Sequence, residues 1–103
     1  MLRYIAAATL LATPVAAQDM RTFFTKQDCW PLQEFVDVTV SVFGERPLFT
    51  GTGFTQAADD TTMTGGVMFY VNQDSGTWTL ATLYGDGIVC INATGTDFEP
   101  YAQ

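Results

Sequence analysis

The stretch TWTLATLYGDGIVCINA, residues 77–93, decides the fold. Two runs rich in threonine, valine and isoleucine lie on either side of Gly85-Asp86-Gly87, and this arrangement is typical of a β-hairpin. Successive side chains of a strand point to opposite faces of a sheet, so each run has two distinct faces. The stretch therefore predicts two antiparallel strands, residues 77–84 and 88–93.

Two further strands are predicted upstream, at residues 47–55 and 67–71. Polar, turn-forming residues separate them: 56–64 lie between the two, and 72–76 precede the hairpin. Connections this short from the second strand onward imply an antiparallel meander of four strands.

Residues 29–45 allow two interpretations. Valines at every second position from 36 to 42 alternate with polar residues, as in a half-buried strand. A helical stripe is formed by Leu32, Phe35, Val36, Val40 and Phe43. Pro31 suits a first helical turn and Gly44 suits a helix end, so we predict a helix. Residues 29–103 then form one α+β domain, with an N-terminal helix packed on the four-stranded antiparallel β-meander.

Residues 1–17 have the pattern of a secretory signal peptide. Arg3 precedes an apolar run, residues 4–12, which is shorter than the roughly 20 residues needed to span a bilayer. Pro14 and the small residues 15–17 follow, which predicts cleavage before Gln18. A short buried N-terminal helix is the alternative. The signal predicts a periplasmic or secreted protein without a membrane anchor after cleavage, beginning with a flexible lead-in at residues 18–28.

The two cysteines of the chain, Cys29 and Cys90, are expected to pair in an oxidising compartment. Closing a loop of this length contributes about 4 kcal/mol in the chain-entropy model. A redox role is the weaker interpretation, because no Cys-x-x-Cys motif is present to lower a thiol pKa.

Composition argues against several functions. Removing Arg3 with the signal leaves three basic residues against 11 acidic ones, a formal charge of −8, which disfavours nucleic acid and anionic membranes as partners. The sequence has no histidine, so the usual acid–base triads are absent. The carboxylates that could act as a pair lie in predicted turns: Asp59, Asp60, Asp74 and Asp86. We therefore expect no enzyme and no cofactor.

The predicted disulfide assigns the faces of the sheet. If it joins the start of the helix to the last strand, the face of Cys90 is the one that the helix covers. The opposite face is then a possible interface, with Thr79, Ala81, Leu83, Val89, Ile91 and Ala93. Either this face binds a protein partner or another copy of the chain, or residues 18–28 or the C-terminal tail cover it.

The spacing of several motifs resembles a known family. Cys29, Gly44-Glu45, the string Gly-Thr-Trp-Thr at 76–79, Gly87-x-x-Cys90 and Gly95-x-x-Phe98-Glu99 are similar to an uncharacterised family of small exported Gram-negative bacterial proteins. The chain departs from that family at Phe43 and in its longer loop at residues 56–64. The resemblance covers most of the mature chain, is specific in the C-terminal third, and implies the helix and the disulfide but no established activity.

The leading hypothesis is thus a non-catalytic exported domain that binds a protein partner or self-associates. One alternative is an inhibitor of an envelope hydrolase such as lysozyme, since an acidic protein suits a cationic target. Another is a small-ligand or calcium-binding module, for which Asp59-Asp60 or Asn72-x-Asp74 could supply oxygen ligands.

Overall fold

The computed structural model of the protein describes residues 20–102. The predicted signal peptide, the cleavage site and residues 18 and 19 of the lead-in lie outside the described residues. Residues 20–28 contain no helix or strand and are exposed throughout.

A five-stranded antiparallel sheet and one helical segment make up the domain. The strands are β1 (Cys29–Pro31), β2 (Arg46–Gln56), β3 (Thr62–Val71), β4 (Trp78–Leu83) and β5 (Ile88–Gly95). Their order in the sheet is β1-β5-β4-β3-β2, with antiparallel pairing throughout. The α+β class and the meander are confirmed. The predicted count of four strands is wrong, because β1 precedes the helix and adds a strand beside β5.

The helical segment has an α-helical first half, α1 (Leu32–Val36), and a π-helical second half (Asp37–Val42). In the second half the Phe43 amide donates to the Val38 carbonyl, five residues earlier. The segment ends at Gly44, whose φ of +68° lies in the left-handed region. The helical interpretation of residues 29–45 is therefore confirmed, with a strand added at its start.

The disulfide Cys29–Cys90 is present and is confirmed. Its half-cystines lie directly opposite each other on β1 and β5. The Ile91 amide donates to the Asp28 carbonyl, so Asp28 and Ile91, which neighbour the two cysteines, form a hydrogen-bonded pair. Alternation in the ladder then makes Cys29–Cys90 a non-hydrogen-bonded pair, where two strands approach most closely.

The helix covers the face of the sheet opposite to the one predicted. Cys29 belongs to a strand rather than to the helix, so its side chain points away from the core while that of Trp30 packs against it. The same alternation on β5 places Val89 in the core and Cys90 on the outer face. Neighbouring side chains of a strand point to opposite faces, so placing Cys90 rather than Val89 in the core exchanges the two faces of the whole sheet.

Phe35 is the central side chain of the core. It is completely buried, and its ring meets that of Tyr70 edge-on at 5.4 Å. Ala81 and Val89 complete the buried cluster beneath the helix.

The outer face of the sheet carries a row of aromatic rings. Phe69 stacks on Phe49 at 5.1 Å and on Trp78 at 5.7 Å, and Phe98 of the C-terminal tail lies 5.9 Å away. The Phe98 amide donates to the Gly76 carbonyl, which fixes the tail in place. Trp78 thus lies on the face that the helix does not cover, and the tail packs beside it.

Candidate functional site

The residues predicted as an interface do not form an exposed patch. Thr79, Ala81 and Val89 are buried, and Leu83 and Ile91 pack against the core. Ala93 is exposed but lies opposite Leu80, on the other face of the sheet. The face chosen for this interface is the one that the helix covers, because the two faces of the sheet are exchanged relative to the prediction.

Exposed apolar surface is found instead on the β2–β3 hairpin. β4 pairs with β3 only from Gly66 to Val71, so residues 53–56 of β2 and 62–65 of β3 pair with each other alone. Phe54 is 72% exposed, Phe49 54% and Leu48 47%. The hairpin therefore extends past the rest of the sheet and presents large side chains to solvent.

Among residues 20–102 no strand pairs with the outer edge of β2, and the hairpin register shows which backbone groups are left unpaired there. The Ala57 amide donates to the Thr61 carbonyl at 2.9 Å, and hydrogen-bonded pairs alternate along an antiparallel ladder. Residues 49, 51, 53 and 55 therefore direct their amide and carbonyl groups towards β3. The groups that point away from the sheet belong to Thr50, Thr52, Phe54 and Gln56.

Protection of this edge is confined to one end. Proteins commonly block edge strands with proline, lysine or a β-bulge. β2 has Pro47 and a register shift between Pro47 and Phe49, and Arg46 is its only charged residue. From Phe49 to Gln56 none of these devices is present, so this part of the edge can accept another strand.

An acidic turn closes the hairpin at residues 57–61. Asp59 accepts hydrogen bonds from the amide and the hydroxyl of Thr61, at 3.1 and 2.7 Å. The Thr61 side chain, and then its backbone, lower the pKa of Asp59 below its ordinary value, which keeps this carboxylate ionised into the acidic range. Asp60 follows with a φ of +69°. The two ends of β2 thus carry opposite charges, Arg46 at one and the acidic turn at the other.

A second feature is a cleft beside the end of the helical segment. Its volume is about 300 Å³ and its lining comprises Phe43, Glu45, Thr77, Trp78, Thr79, Thr94, Gly95 and Thr96. Glu45 is only 3% exposed, and its Oε1 accepts a hydrogen bond of 2.7 Å from the Thr79 hydroxyl. Within residues 20–102 no buried side-chain oxygen or nitrogen lacks a hydrogen-bond partner. Among these residues Oε2 accepts no hydrogen bond, so one oxygen of this carboxylate is free to bind a donor.

Two of the turn carboxylates considered as ligands or catalytic pairs, Asp59 and Asp86, accept hydrogen bonds from backbone amides. Asp86 accepts from the Ile88 amide, and the Asn72 amide oxygen accepts from the amides of Asp74 and Ser75. The part of the chain that the structure describes contains no group of three or more acidic, cysteine or histidine side chains able to hold a metal ion. It also contains no helix long and apolar enough to cross a bilayer.

Neither the β2–β3 hairpin edge nor the cleft at Glu45 was predicted from the sequence. The hairpin edge has a sequence signal, the run of residues 47–58 without a charge. Glu45 is buried against Thr79, which lies 34 positions away along the chain. No local pattern indicates that contact.

A scan against protein-family models found no match for this chain, and searches of curated proteins and of solved structures found none either. The resemblance to an exported bacterial family therefore stays a prediction from the motifs quoted above.

Proposed function

We propose that the protein is a non-catalytic exported domain that binds a protein, either a partner or a second copy of itself, through the β2–β3 hairpin. The observation that carries this proposal is the unprotected edge of β2 beside the exposed side chains Leu48 and Phe54. An extended segment added to such an edge gains backbone hydrogen bonds, and exposed side chains give it specificity.

Export is supported by two features of the chain. One is the signal pattern of residues 1–17. The other is the disulfide between the only two cysteines, a bond that persists in oxidising compartments. The two together support a periplasmic or secreted location.

A non-catalytic role is supported by the chemistry of the side chains. The chain has no histidine, and the cysteines are held in a disulfide, so neither thiol is available as a nucleophile. The turn carboxylates Asp59 and Asp86 accept backbone amides, as aspartates commonly do in turns.

Photo-crosslinking in the cells that produce the protein tests this proposal. Phe54 is replaced by benzoylphenylalanine, and the control carries the same residue at Tyr101, which is 88% exposed in the tail. We expect covalent adducts of defined mass from position 54 and few from position 101. Absence of adducts at 54, together with a monomer in light scattering of the purified domain, would contradict the proposal.

A second candidate function is inhibition of a cationic envelope hydrolase, and the Glu45 cleft favours it. A carboxylate oxygen in a cleft of this volume suits a lysine or arginine side chain of a target, and the formal charge of −7 for the whole chain attracts a cationic protein.

Replacing Glu45 by glutamine tests the cleft, because the glutamine side chain keeps an acceptor for Thr79 while losing the charge. If the cleft binds the target, micromolar wild-type protein inhibits lysozyme and Glu45→Gln is about tenfold weaker or more, as expected for loss of a charged hydrogen bond. Asp86→Asn is the matched control, since it removes one charge and keeps the acceptor for Ile88. Equal inhibition by both variants, or none by wild type, excludes this role.

A further inference from the structure

We infer that the β2 edge is completed by β2 of a second copy, paired antiparallel about a two-fold axis at Gly51, so that two sheets join into one of ten strands. This inference rests on the proposed function of the hairpin and names its occupant. Three independent properties of β2 favour this pairing over an unrelated strand: its backbone pattern, its charges and its side chains.

The backbone pattern is self-complementary in this register. Pairing about Gly51 places Thr50 of one copy opposite Thr52 of the partner copy, and both residues direct their amide and carbonyl groups outward. These residues can therefore exchange both backbone hydrogen bonds, on each side of the axis. Gly51 itself occupies a non-hydrogen-bonded position, where strands approach most closely. Nothing lies within 4 Å of the position that a Cβ would take there, so the approach is open.

The charges favour the same register. Two identical antiparallel strands frequently place like charges near each other, which destabilises the pair. Here Arg46, the only charged residue of β2, lies just beyond the register shift and comes near Gln56 of the partner copy. Directly beyond Gln56 lies the turn with Asp59 and Asp60, so the positive end of each strand meets the negative end of the other.

Side chains of the hairpin are covered by the pairing. Thr50 lies opposite Met68, which packs against the core, so the even-numbered side chains from Thr50 to Gln56 share the helix side of the sheet. Phe54 comes to the register shift of the partner copy, where Leu48 lies, and the two-fold axis repeats this apolar contact. The most exposed ring of β2 thus gains an apolar neighbour twice in the dimer.

Disulfide trapping tests the register. In Gly51→Cys the two new thiols lie across the axis at a Cα separation of about 4.5 Å, within the range that a disulfide spans. The native Cys29–Cys90 pair, with Cα atoms 4.0 Å apart, has the same kind of position. We expect the purified protein to form a covalent dimer on mild oxidation, with the native disulfide intact in peptide mapping.

Thr52→Cys is the matched control. In the proposed register position 52 lies opposite position 50, so the Cα atoms of the two introduced cysteines are about 8 Å apart, beyond disulfide range. Covalent dimer from Gly51→Cys and little from Thr52→Cys supports the inference. Equal yields from both, dimer from Thr52→Cys alone, or none from either overturns it.

A charge on the edge gives a readout that needs no cysteine. Thr52→Lys introduces the residue that natural edge strands use against pairing, at an exposed position outside the core. We expect the dimer dissociation constant in sedimentation or light scattering to rise about tenfold or more, with an unchanged far-ultraviolet spectrum. A wild-type monomer at all concentrations overturns the dimer. If that monomer still gives heteromeric adducts from position 54, the hairpin function stands and only the second copy is excluded.

Discussion

Replacing Cys29 and Cys90 together by serine is expected to lower the free energy of unfolding by about 4 kcal/mol. The bridge joins residues 61 positions apart, and a cross-link of that span removes much of the entropy of the unfolded chain. Domains of this size have a total stability of only about 5–15 kcal/mol. Urea unfolding followed by circular dichroism measures the difference, and the variant is expected to be partly or wholly unfolded at 37 °C.

The structure indicates where the loss is concentrated. β1 has three residues and, within the described part of the chain, pairs only with β5, so the disulfide holds an element that has little pairing of its own. Reducing the wild-type protein is expected to reproduce the shift, while the reductant leaves the double variant unchanged. An unfolding midpoint equal to that of the oxidised wild type would contradict this prediction. The double variant is used because a single substitution leaves a free thiol that forms intermolecular bonds.

Phe35→Ala is the other substitution with a large expected effect. Phe35 is completely buried and is the only side chain of α1 in the buried cluster. Removing its ring leaves a cavity between the helix and Tyr70, and substitutions of this kind cost about 3–5 kcal/mol. The free energy of unfolding from urea denaturation is the measurement.

Phe43→Ala provides the matched control for this prediction. Phe43 follows the same helical segment but is 54% exposed, so the same change of side chain is expected to cost about 0.5 kcal/mol or less. Similar losses from the two variants would show that the helix does not pack on the sheet as described.

Much of the architecture could be predicted because its signals are local. The turn Gly85-Asp86-Gly87 and alternating strands give the hairpin, and Gly44 with its positive φ marks the end of the helix. The pairing of the two cysteines needed only their number and the predicted compartment. β1 was missed because three residues are too few to show a period.

The candidate site was harder to predict because it depends on faces and edges. The buried face of β5 depends on whether Cys29 belongs to a strand or a helix. If Cys29 were in the helix, Cys90 would face the core in place of Val89. The exposure of Phe54 depends on β4 being shorter than β3, which only the register shows. Glu45 and Thr79 meet through packing between distant elements.

The order of the elements along the chain has a consequence for how the protein forms. Strands β2 to β5 each pair with the neighbour next in sequence, so the meander can assemble as the chain lengthens. The first elements have no such neighbour: β1 pairs only with the last strand, and Phe35 needs Tyr70 and Val89 before it can be buried. The start of the domain therefore stays uncovered until β5 has been made. Cys29 therefore meets Cys90 in its final register only after β5 has formed.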